Sequence, residues 1–125
     1  MSAGAALQQA LALTIGAVGD ITGVYDGPPA RASFPYVAID AGTESDWGHK
    51  SGEGREVLLA TTLWDEQPAR LHPLADAVET AVLATSQIEG WQLVSLTLVR
   101  RRIVRDVAGP WAAMVDFRAR LLKLG

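Results

Sequence analysis

The chain has 125 residues, of which 49% are hydrophobic, with a formal charge of −3 and no cysteine. That length suits one domain with one apolar core, and the apolar content argues against global disorder. The mild negative charge argues against general nucleic-acid binding by net charge. The missing thiols exclude disulfides, thiolate zinc sites and cysteine nucleophiles.

The first stretch, "MSAGAALQQALALTIGAVGD", is apolar but lacks a basic leader segment, and Gln8 and Gln9 interrupt it. Leu7, Ala10, Leu11, Thr14 and Ile15 recur at helical spacing, so the reading is an amphipathic helix over about 3–17, capped by Ser2. No run is long enough for a membrane span, and the expectation is a soluble protein with no membrane partner. Residues 20–35 carry Gly23, Gly27, Pro28, Pro29 and Pro35. They read as an extended connector with a turn at "VYDGPP", because proline lacks the amide donor a helix needs.

Tyr36 to Ala41 reads as a strand beginning just after Pro35. A polar stretch with Gly42, Gly48, Gly52 and Gly54 follows, giving an expected flexible loop over about 43–54. Arg55 to Trp64 returns to strand. Val57, Leu59, Thr61 and Leu63 lie on one face and Leu58, Ala60 and Trp64 on the other, which predicts a central strand covered on both sides. Leu71, Leu74, Ala75, Val78 and Val82 then mark one apolar stripe, predicting a second helix over about 69–85 with a proline in its first turn. Trp91 to Leu122 reads as a β-hairpin turning near Ala108 and Gly109, which would place Arg101 opposite Asp116. The expected fold is α+β: a single domain with a mostly antiparallel sheet of about four strands and two helices packed on one side.

The sequence offers little chemistry. Its only histidines, His49 and His72, have no second ligand at useful spacing on a regular element, so no metal site is expected. No serine stands in a nucleophile elbow, and "SGEGRE" lacks the lysine and the following helix of a phosphate loop. The expectation is no catalytic residues, no cofactor and no enzyme activity. Arg100, Arg101, Arg102 and Arg105, thickened by Arg118 and Arg120, form the densest positive cluster. Strand alternation turns Arg100 and Arg102 one way and Arg101 and Arg105 the other. Two readings stand: a solvated strand end balanced by Asp106 and Asp116, or a surface facing an acidic partner or a path taken by DNA. Of the four tryptophans, Trp64 and Trp91 flank the second helix and read as core. Trp47 and Trp111 lie in a loop and a turn, where they either meet another protein or tuck back onto their own domain.

The order of segments is informative beyond composition. "LQQALALTIGA", "VYDGPP" and "FPYVAID" are followed by a glycine-rich loop with a tryptophan, then "TTLWDEQ" and "LHPLADAVETAVL". The chain closes with "WQLVSLTLVRRRIVRDVAGPWAAMVDFRARL". From about Leu7 to Leu121 this pattern resembles the tail-completion family of long-tailed phages, prophages and gene transfer agents, the tail terminators or head–tail joining proteins. The resemblance implies a structural protein, made in the bacterial cytoplasm and built into the tail or neck of a particle. It implies a homo-oligomer, a ring of six at the head-proximal end of the tail tube, which ends tube polymerisation. The implied partners are the tail tube protein and the head connector or stopper, with DNA only passing through the channel. On this reading Trp47, His49, Glu53, Arg55 and Trp111 are candidates for the subunit interface. Arg100, Arg101, Arg102, Arg105, Arg118 and Arg120 are candidates for the channel or a neighbouring ring. The alternatives are another neck or tail-tube subunit, or a small-ligand binder or enzyme with a loop lid.

Overall fold

The computed structural model describes every residue except Pro28, Ala30, Asp106 and Ala108. The turn expected at "VYDGPP", the balancing role of Asp106 and the hairpin turn at Ala108 therefore fall wholly or partly outside the described residues. In chain order the elements are α1 (Ala3–Gly16), β1 (Val24–Asp26), β2 (Tyr36–Asp46), β3 (Gly54–Asp65), α2 (Pro68–Leu83), β4 (Gln87–Ile88), β5 (Trp91–Arg105) and β6 (Trp111–Lys123).

The fold is α+β, but its sheet differs from the expected one. It has six strands in the order β1-β2-β3-β6-β5-β4. It is mixed, because β1 runs parallel to β2 while every other neighbour is antiparallel. The two extra strands have three and two residues, too short to show a period of two in the sequence. Each exists only because a neighbouring strand offers it a ladder. Bulges between Asp40 and Thr43, Leu93 and Ser95, and Leu98 and Arg100 add local twist, and the sheet curls into a half-barrel.

Both helices pack on one face. From α1 come Leu7, Leu11 and Ile15, and from α2 come Leu71, Leu74, Ala75, Val78 and Val82. They meet Val37 and Ile39 of β2, Val57, Leu59 and Leu63 of β3, and Val115, Phe117, Ala119 and Leu121 of β6, all buried. The Ser2 hydroxyl accepts the Ala5 amide at 3.1 Å and so caps α1. Gly4 lets that first turn approach the sheet, since a Cβ there would lie 2.6 Å from the Ala41 carbonyl oxygen. Pro68 opens α2, whereas Pro73 lies inside the helix, beyond the first turn. Asp65, fully buried at the end of β3, accepts both the Nε and an Nη of Arg70 at 2.7 Å and ties the strand to the start of α2.

Three further expectations are corrected. The stretch expected as a loop is largely hairpin: β2 continues to Asp46, which pairs with Arg55, leaving only Trp47 to Glu53 as the connection. Backbone pairing with β3 holds Thr43 to Asp46 extended although these residues have no apolar pattern of their own. Central strand β3 is covered on one side only. Leu58 is 43% exposed, and Ala60, Thr62 and Trp64 are half-buried on a sheet face that no helix meets. Trp64 therefore belongs to that open face, while Trp91 is buried and its indole donates to the Met1 carbonyl at 3.2 Å.

Candidate assembly surfaces

The hairpin tip and the ladder end beside it carry four of the five interface candidates, Trp47, His49 and Glu53 on the tip and Arg55 in β3. His49 and Gly52 exchange backbone hydrogen bonds at 2.9 and 3.1 Å, and the Trp47 amide donates to the Gly54 carbonyl at 3.0 Å. A side chain at Gly54 would run into the Trp47 carbonyl, so the neck of the tip requires glycine. Trp47 is half-buried. The His49 ring meets it edge-on at 4.8 Å, and the Arg120 guanidinium lies 5.7 Å from its centroid. Glu53 reaches Arg55 at 3.5 Å and Lys123 at 3.6 Å. The fifth candidate, Trp111, pairs with Asp65 at the far end of β3, packs against the core and has Arg105 over its ring at 5.7 Å. Eleven residue steps along β3 separate Asp65 from Gly54, about 36 Å at about 3.3 Å per residue. The structure thus splits these candidates between two ends of the sheet.

The six arginines are also divided. The β5–β6 register sets Arg100 opposite Asp116 and Arg101 opposite Val115. The register differs by one residue from the expected one, and a one-residue slip moves a side chain to the other face. Arg100 therefore takes Asp116, at 3.4 Å, on the open face. Arg101 turns instead to the helix side, where its guanidinium donates to Asp76 at 2.6 Å, Glu79 at 3.2 Å and the His72 carbonyl at 3.4 Å. The hydrogen bond to Asp76 raises its pKa above the ordinary arginine value, burial opposes this, and the bond to Glu79 adds to the rise. Arg118 and Arg120 share Glu56 at 3.7 and 3.0 Å, again on the open face. Arg102 lies beside Met114 there.

Sequence reasoning passed over two surfaces. One is the open sheet face, where Leu58, Ala60, Trp64 and Met114 adjoin the Arg100, Arg118 and Arg120 group. The sequence predicts that its apolar residues are covered, and the count of apolar residues cannot say whether that cover comes from this chain. The other is an acidic groove of about 420 Å³ between α1 and β2, lined in part by Asp26, Asp40, Glu44 and Gln8. Its residues come from three separate elements, so nothing in their spacing signals it. Among the described residues no cluster of three His, Asp or Glu side chains could hold a metal ion. No helix there is long and apolar enough to cross a membrane.

This arrangement, a curled mixed sheet with two helices on one face, recurs in solved structures. A chain in the virion of a native gene transfer agent particle superposes with a TM-score of 0.74 at 23% identity, covering 97% of this chain and 98% of that one. The gp17 protein of bacteriophage SPP1 gives 0.62 at 19% identity, covering 98% and 91%. Among curated proteins no match is found. Residues 4–122 match the tail completion protein gp17 family, and the chain belongs to that family.

Proposed function

We propose that the chain is a structural tail terminator. Six copies close into a ring at the head-proximal end of a tail tube, stop further tube growth and present a surface to the head connector. DNA crosses the central channel, and the protein carries out no catalysis. The observation that carries this reading is the family match over residues 4–122. The full-length likeness to a chain of a gene transfer agent virion supports it. On this reading the open face with Arg100, Arg118 and Arg120 looks toward the channel or an adjoining ring. The Trp47 tip finishes contacts between neighbours.

Native mass spectrometry of the purified protein, with electron microscopy of tails made with and without it, tests the proposal. The expected result is a closed ring on the tube end, and overgrown, headless tubes when the chain is missing. A protein found only as monomer or dimer, even inside intact particles, would overturn the ring. Open-ended tubes built of this chain alone would make it a tube subunit instead.

A further inference from the structure

The sheet ends in two strand edges of opposite charge that no described strand pairs for most of their length, with the first turn of α1 standing against β2 only at Ala41 and Glu44. At one end β1 pairs only with Val37 to Ile39, so no described strand lies beyond β2 from Asp40 to Asp46. At the other end β4 pairs only with Trp91 and Gln92, so no described strand lies beyond β5 from Leu93 to Arg105. Unpaired strand edges are templates for another chain unless something blunts them.

The two edges complement each other chemically. The β2 edge carries the acidic groove with Asp26, Asp40 and Glu44, none of which has a salt-bridge partner among the described residues. The Oε1 of Gln8, which lines the same groove, is buried with no hydrogen-bond partner. The groove therefore gathers three carboxylates and a free amide oxygen, with no basic side chain in its lining. The β5 edge supplies donors: Arg102 and Arg105 stand exposed along it, beside Val99, which is 48% exposed, and Val104 at 38%. Arginine is suited to such a groove because its planar fork offers several N–H donors to carboxylate and amide oxygens.

We infer that the occupant of each edge is a second copy of this chain. The arginine-bearing end of β5 in one copy lies against the β2 edge and acidic groove of the next. The contact uses two different patches on each copy, so it is head-to-tail, and it closes into a ring wherever the rotation between copies permits. It rests on the ring reading only for that closure.

Charge reversal tests it. Asp40 is left in place because its carboxylate accepts the Gly42 amide at 2.9 Å in the β2 bulge. One variant carries Asp26→Arg and Glu44→Arg, making both edges basic. The other carries Arg102→Glu and Arg105→Glu, making both acidic. All four positions are exposed, and circular dichroism checks that the variants fold. Mass is read by sedimentation velocity on purified protein, and incorporation is read in particles assembled in cells. Each variant alone is expected to fall to subunit mass and be lost from particles, because like charges then face each other. A one-to-one mixture is expected to recover the wild-type assembly, since only alternating copies match. The milder pair Glu44→Gln with Arg102→Gln is expected to assemble more weakly and with less dependence on salt. Folded reversal variants that assemble as the wild type does, a mixture that stays at subunit mass, or an unchanged milder pair would each overturn the edge contact. A wild-type ring would survive any of these results. Wild-type protein at subunit mass both in isolation and in particles would overturn the ring and the edge contact together.

Discussion

Arg101 allows the sharpest test of the register on which these surfaces depend. Its side chain is 23% exposed and bridges β5 to Asp76 and Glu79 of α2, whose side chains are 70% and 22% exposed. The Asp76 pair is solvated and contributes at most about 1 kcal/mol. The Glu79 bond is charge-assisted and sheltered, and bonds of that kind contribute about 1.5–3 kcal/mol. Arg101→Ala should therefore destabilise the free subunit by about 2–3 kcal/mol in all. For a domain of this size each kcal/mol moves the melting temperature by about 4 °C, so the expected fall is about 8–12 °C. Arg100→Ala removes only a solvated pair at 3.4 Å, with the arginine side chain 62% exposed, and should cost about 0–1 kcal/mol. Urea and thermal unfolding at one protein concentration would measure both. A double-mutant cycle would then compare Arg101 with Glu79 and Arg101 with Asp116. Coupling to Glu79 of about 1–2 kcal/mol and none to Asp116 is expected. An Arg101→Ala variant within about 0.5 kcal/mol of wild type, or stronger coupling to Asp116, would refute the register and the placement of every β5 side chain with it.

Asp65→Asn should destabilise the subunit near neutral pH. Burial pushes the Asp65 carboxyl up, but hydrogen bonds from Arg70 and the Gln67 amide outweigh it and hold the pKa below the ordinary 3.8. That stabilisation is complete above the unfolded value and is lost as pH falls through the lower folded value, so the gap between wild type and Asp65→Asn should close on acidification below 3.8. A gap that persists in strong acid would argue against the ion pair as its source. In hydrogen exchange, residues 47–53 should exchange faster than Thr43 to Asp46 in the free subunit and become protected on assembly; equal protection in both states would mean a tip packed only on its own domain. Replacing Arg100 and Arg118 together by alanine should leave the ring intact but lower the count of tails joined to heads, with the gap from wild type narrowing at high salt. Normal joining by a folded variant would reduce the open-face arginines to a solvated network.

What could be read directly from the sequence was local. The stripe from Leu71 to Val82 marks a helix because one face of it must meet a core, and those same five residues are the buried ones of α2. Ser2 as a cap and the alternation of Val57, Leu59, Thr61 and Leu63 are likewise written in neighbouring residues, and all four of those β3 side chains are buried. The order of segments was enough to suggest the family. Tertiary structure alone decided the rest. The strands of two and three residues form only on partners already in place. Thr43 to Asp46 becomes strand because β3 pairs with it, against its own composition. The choice between Arg100 and Arg101 as partner of Asp116 turned on a single residue of hairpin register, which no side-chain pattern near the turn encodes. The same holds for the assembly surfaces. An apolar residue on β3 is equally apolar whether a helix or a neighbouring subunit covers it. Opposite charges at the two ends of a sheet become complementary only once the strand order has set them there.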